Sequence, residues 1–158
     1  MTLSNIKIFI VEDDLFFSSL IETQLKRHDF ENIKTFNNGA DFLNQLHTNP
    51  DIVILDHNLN EMNGLDILRR IKSVNPDIQV IFLSAQQDME VAVKALKYGA
   101  YDYLQKDENC SNRLVHIIAR IVRFNNVITQ NKSLLRMKRI AVVAAIITLG
   151  VFAFINMT

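Results

Sequence analysis

The sequence points to a doubly wound α/β domain built on five parallel strands, on the strength of its apolar runs, their two-faced hydrophobicity and its length. Short apolar runs rich in β-branched residues recur at 6–11, 52–55 and 78–83, and a stretch with helical spacing follows each. Strands apolar on both faces are the mark of a parallel sheet buried between helices. The chain of 158 residues has room for one ordinary domain and an appendage, not for two full domains.

The first run, ending at Val11, leads into Phe17, Leu20, Ile21 and Leu25, which share one helical stripe. Residues 33–36 read as a short strand. Phe42, Leu43 and Leu46 mark a second helix, opened after Gly39 and closed by Pro50. After the strand at 52–55, Gly64 precedes a third helix carrying Leu65, Leu68 and Ile71 and ending near Pro76. The strand at 78–83 leads to a fourth helix with Val91, Ala95 and Leu96, for which Gly99 is the expected C-terminal cap. Residues 101–104 make the fifth strand.

Charge divides the chain sharply. All 17 Asp and Glu lie at or before Glu108, with 10 basic residues among them, a net of −7; the remainder carries 7 basic residues and no carboxylate. Such asymmetry points to a surface or partner for the basic part. The single cysteine, Cys110, excludes an internal disulfide framework. The first apolar run stops at Glu12, Asp13 and Asp14, so no signal peptide is expected and the N-terminal domain is expected to stay in the cytoplasm.

In a doubly wound sheet, ligands bind at the carboxyl ends of the strands. Those ends carry Glu12, Asp13 and Asp14 after the first strand, Asp56 after the third, Ser84 after the fourth and Lys106 after the fifth. Carboxylates gathered at one place repel one another, and a hard divalent cation with oxygen ligands relieves the repulsion. Asp14, at the start of a helix, is read as its cap.

Four pieces in order, 10–14, 54–64, 82–85 and 99–106, make the chain resemble the receiver domain of two-component response regulators over residues 5 to about 122. The resemblance implies a flavodoxin-like strand order 2-1-3-4-5 and Asp56 as phosphoacceptor. It implies Mg²⁺ held by Asp13 and Asp56, by Glu12 through a metal-bound water, and by the backbone carbonyl of Asn58. Lys106 would pair with the acyl phosphate, Ser84 would hydrogen-bond a phosphoryl oxygen, and Tyr103 would move with Ser84. Phosphoryl transfer spreads charge over equatorial oxygens, so an in-line nucleophile, a metal and a cation each have a reason to be there. The implied donor is a histidine kinase or phosphotransfer protein, and the only implied catalysis is the chain's own phosphorylation and dephosphorylation.

Two departures stand out: Asn60 occupies a usual proline position in the loop after the acceptor, and Asp107 replaces the proline that often follows the lysine. The first is expected to loosen the loop, the second to remove a constraint on how Lys106 is presented. Mg²⁺-dependent phosphohydrolases also use a strand-end Asp, but they carry a second Asp two positions on, where Asn58 stands here and cannot transfer a proton. His57 beside the acceptor is read as half-exposed rather than catalytic.

Beyond the receiver at 1–122, the basic segment 123–139 continues a seam of Leu114, Ile117, Ile121, Phe124, Ile128, Asn131 and Leu135, spaced alternately three and four apart. The start of this extended helix is expected to pack on the sheet, and the rest to support a homodimer. Residues 140–155 carry no charge and follow Arg136, Lys138 and Arg139. Their helical length of about 24 Å approaches the ~30 Å hydrocarbon core, with snorkelling side chains covering the difference. A transmembrane helix over 140–156 is therefore expected, crossing the inner membrane once with the receiver on the cytoplasmic side. No specific nucleic-acid binding is expected, because an adjoining apolar helix lets the membrane account for the basic charge. The alternative is a membrane-associated scaffold in which phosphorylation is incidental.

Overall fold

The computed structural model describes the backbone of residues 5–60, 62–85 and 88–157, with side chains except those of 128–134 and 141–157. The chain divides into two units, Met1–Ile121 and Val122–Thr158. In the first, five parallel strands, β1 (Ile8–Val11), β2 (Ile33–Phe36), β3 (Ile52–Asp56), β4 (Gln79–Ser84) and β5 (Asp102–Gln105), lie in the order β2-β1-β3-β4-β5. This is the flavodoxin-like order expected from the sequence. The register runs Val11↔Leu55 and Asp56↔Leu83, then Ser84↔Gln105, which brings the carboxyl ends of β1, β3, β4 and β5 to one edge.

Helices α1 (Leu15–Lys26), α2 (Gly39–Gln45), α3 (Gly64–Val74), α4 (Met89–Lys97) and α5 (Cys110–Met157) connect or follow the strands. Side-chain caps start four of them. Asp14 accepts from the backbone N–H of Phe16 and Phe17 at 2.9 and 3.1 Å, so its expected role as a cap is realised. Asn38 accepts from Asp41 N–H at 2.8 Å, Asn63 from Leu65 N–H at 2.8 Å, and Asp88 from Glu90 N–H at 2.9 Å. Gly99 has φ +94°, the left-handed conformation that ends α4 where the glycine is expected to act.

The sheet is buried on both sides, as its apolar strands require. Phe9 and Val11 join Phe42 of α2, Ile67, Leu68 and Ile71 of α3 and Ala95 of α4 in one core cluster. Residues of opposite parity, Ile8 and Ile10, are fully buried as well, as are Ile21 of α1 and Leu114 and Ile118 of α5. Of the seam, Leu114, Ile117 and Ile121 are buried, whereas Phe124 and Leu135 are 62% and 60% exposed. Ile128 and Asn131 lie outside the described side chains.

Among the described residues, no helix is long and apolar enough to cross a membrane. The span expected at 140–156 falls almost wholly on residues whose side chains lie outside those described.

Candidate functional site

The backbone fixes the site before any side chain is placed. β1 ends in Glu12, and the N–H of Glu12 donates to the carbonyl of Phe36 at 3.0 Å, which ties the acidic turn to β2. Asp56, last residue of β3, is held by its pairing with Leu83 of β4, and His57 N–H donates to Leu83 carbonyl at 2.8 Å. Lys106 follows β5, and its N–H donates to Ser84 carbonyl at 2.8 Å. Four separate chain segments are thereby locked at one edge of the sheet.

Three carboxylates and one ammonium meet there. Glu12, Asp13 and Asp56 each present an oxygen within 4.8 Å of the others. The Lys106 ammonium reaches both Glu12 oxygens, at 2.8 and 2.7 Å, and Asp56 Oδ2 at 3.0 Å. It also lies 5.1 Å from the centre of the Phe17 ring, a cation–π distance. Glu12 and Asp56 are almost fully buried, while Asp13 is partly exposed.

Burial pushes the Glu12 carboxyl up to about 7, with the Asp56 charge adding to the rise and the Lys106 hydrogen bond opposing it. For Lys106, burial works to lower the pKa, but the hydrogen bonds and charges of Glu12 and Asp56 outweigh it and the net shift is upward. One ammonium therefore faces three carboxylates. The donor set consists of hard oxygens, close enough together for a small divalent ion, and their charge exceeds what Lys106 balances; the residues present fit Mg²⁺.

Ser84 is buried at the end of β4, beside Lys106 through the backbone. Tyr103 lies on β5, half-buried, its ring stacked 6.4 Å from that of Phe82. Asn58 lies two residues beyond Asp56 in an exposed position, on a two-residue antiparallel ribbon pairing Asn58 with Asn63 and Leu59 with Met62. Sequence reasoning does not foresee that ribbon, and it bears on the loosened loop expected from Asn60. Pairing across the ribbon and the bond from Gly64 N–H to His57 carbonyl, 2.8 Å, join the two ends of the segment that carries Asn60; Glu61 at its tip lies outside the described residues. His57 is half-exposed, as expected; its Nδ1 is buried with no hydrogen-bond partner among the described residues.

The family model for the response regulator receiver domain matches residues 8–119. The chain belongs to that family. It is 36% identical over 113 residues to the transcriptional regulatory protein ZraR of Escherichia coli, covering 71% of this chain and 25% of ZraR. It is 35% identical over 102 residues to the chemotaxis protein CheY of Listeria monocytogenes, covering 64% of this chain and 86% of CheY. The chain thus spans only a quarter of ZraR, while CheY is matched over most of its length. Among solved structures, the BeF3-activated receiver domain of DrrB superposes with a TM-score of 0.68 at 32% identity, over 74% of this chain and 97% of that one. A receiver domain protein from Clostridium thermocellum gives 0.70 at 28% identity, over 77% and 98%. Residues 8–119 are therefore the receiver domain of a two-component response regulator. Receiver domains bind Mg²⁺ through acidic residues and interact with histidine kinases or phosphotransfer proteins; a cluster of acidic residues, Glu12, Asp13 and Asp56, is present in this one.

Two residues next to the site escape sequence reasoning: Arg113 and Phe17. Nothing in linear spacing marks Arg113, because its partners lie six and eight positions earlier, across the turn between β5 and α5.

Proposed function

We propose that this protein is a phosphoacceptor signalling module whose Asp56 takes a phosphoryl group from a histidine kinase or phosphotransfer protein. The observation that carries the reading is the Lys106 ammonium set between Glu12 and Asp56, with the Asp13 carboxylate in the same cluster. An Asp56 oxygen attacks phosphorus, a new P–O bond forms, and the donor's bond to phosphorus breaks with its electron pair leaving on the donor. Asp13, Asp56 and the carbonyl of Asn58, with Glu12 acting through a water, would hold Mg²⁺, which when bound would neutralise charge on the phosphoryl oxygens. Lys106, already within hydrogen-bond distance of Asp56, follows the charge onto the acyl phosphate. Ser84 then binds a phosphoryl oxygen, and Tyr103 moves with it to alter the outer surface of β5. No external substrate is turned over.

The basic flank and uncharged stretch after Arg139 support a second part of the reading: a single inner-membrane anchor over 140–156, with the receiver on the cytoplasmic side. The anchor confines the receiver near membrane-bound partners and raises its effective concentration there. Exposed Phe124 and Leu135, on the seam before it, favour self-association as a homodimer. A scaffold that ignored phosphorylation would have no use for a partly buried lysine between two buried carboxylates.

The test is incubation with acetyl phosphate, with and without Mg²⁺, read by intact mass. Gain of one phosphoryl group only when Mg²⁺ is present supports the reading. No gain under either condition overturns it.

A further inference from the structure

The proline that often follows the lysine in receiver domains is Asp107 here, yet the Lys106 side chain is well placed. A proline would restrict the residue before it to extended backbone and so limit where that residue's side chain can go. Some other constraint must act on Lys106 in this chain.

Arg113, one turn into α5, touches the chain on both sides of Lys106. Its Nη2 donates to Gln105 carbonyl at 2.9 Å and to Asp107 Oδ2 at 2.8 Å, so one nitrogen spends both its hydrogens on the two neighbours of the lysine. Asp107 is fixed from the other side as well. Its Oδ1 accepts from Asn109 N–H at 3.0 Å, and its carbonyl accepts from Cys110 N–H at 3.0 Å, which joins the loop to the start of α5. Lys106 N–H is in turn held by Ser84. The peptide carrying the lysine is pinned to β4 at its centre and to α5 at both shoulders.

Stability alone gives little reason for this arginine. Its ion pair with Asp107 is roughly half-exposed, at 43% and 46%, and such pairs contribute little. Its Nε is buried without a hydrogen-bond partner among the described residues, which is a cost. What the arrangement does achieve is a fixed Lys106 backbone, and from there the ammonium reaches Glu12 and Asp56.

We infer that Arg113, acting with Asp107, is the positioning residue for Lys106 and replaces the proline constraint. The inference rests on the proposed phosphoacceptor role of Asp56. It assigns no contact between Arg113 and the phosphoryl group; the arginine acts only through the lysine.

The experiment compares full-length wild type, Arg113→Met, Lys106→Ala and the double variant. Methionine keeps the aliphatic stem and removes every donor. Two quantities are measured in mild detergent: the rate of phosphorylation by acetyl phosphate in saturating Mg²⁺, and hydrogen–deuterium exchange over the peptide 105–109 without phosphodonor. Arg113→Met should slow phosphorylation about tenfold in the presence of Lys106 and leave it unchanged once Lys106 is alanine, the signature of two residues acting through one another. Exchange at 105–109 should quicken while the strands remain protected. Equal slowing in both backgrounds, or unchanged exchange, overturns the inference. If Arg113→Met fails to fold, Asp107→Asn, which keeps an oxygen to cap α5, should show the same pattern at about threefold. A wild type that takes no phosphoryl group overturns the functional reading instead, and the exchange arm alone then decides whether the clamp exists.

Discussion

Replacing Gly64 with alanine tests how rigidly the acceptor is held. A Cβ at this position would stand 2.2 Å from the Asp56 carbonyl oxygen, 2.9 Å from His57 Cα and 3.0 Å from the His57 carbonyl oxygen. All three are backbone atoms. They belong to a stretch fixed by the pairing of Asp56 with Leu83 and by the bond from Gly64 N–H to His57 carbonyl, so no flexible side chain can yield. Inserting a methyl group into a packed interior costs about 1–3 kcal/mol, and with backbone on the receiving side the upper end, about 3 kcal/mol, is expected. For a unit the size of Met1–Ile121, each kcal/mol moves Tm by roughly 4 °C, which gives a fall of about 12 °C. Relief must come from shifting Asp56 itself or the start of α3. A misplacement of about 1 Å at a reacting group costs on the order of 100-fold in rate. Thermal unfolding by circular dichroism and a phosphorylation time course check both figures. A Tm within about 2 °C of wild type together with an unchanged rate would refute the packing argument.

Lys106→Ala should keep the acceptor while weakening the structural response to phosphorylation, since the cation that reads the new charge is gone; amide exchange in β5 that responds as in wild type would contradict that role. Burial pushes the Cys110 thiol up to about 11 from an ordinary 9.0. The folded protein therefore keeps this proton through a window in which the unfolded chain loses it, and stability falls as pH rises from about 9 to 11. Native protein should resist iodoacetamide at pH 8 and react quickly in urea, and equal rates would show that the thiol is accessible. Full-length protein should remain with membranes through an alkaline wash, and a chain ended at Arg139 should not. Full-length protein soluble without detergent would remove the anchor and leave the apolar stretch to be buried in an oligomer.

Much of the sheet was legible because parallel strands write their burial into contiguous sequence. The runs at 6–11, 52–55 and 78–83 contain most of β1, β3 and β4, and the turn residues Asp14 and Gly99 do the backbone work their types suggest. The meeting of Glu12, Asp13, Asp56 and Lys106 was legible for a related reason: each ends or follows a strand, and strand order alone brings them together. Contacts that depend on loop geometry were hidden. The ribbon pairing Asn58 with Asn63 is too short to show periodicity, and its effect on the Asn60 loop emerges only from the closing bond at Gly64. Arg113 reads as one more base on a basic helix until the turn after β5 brings Gln105 and Asp107 within its reach.

Site-mapped phosphorylation decides whether Asp56 is the phosphoacceptor. Wild type and Asp56→Asn, both shown to be folded, are incubated with acetyl phosphate and Mg²⁺, and the product is digested and mapped by mass spectrometry. One phosphoryl group is expected on the wild-type peptide containing Asp56 and none on the same peptide of the Asp56→Asn variant, because the amide is a far weaker nucleophile than the carboxylate. Full labelling of the variant at another residue, or a wild-type label anywhere but Asp56, would contradict that role.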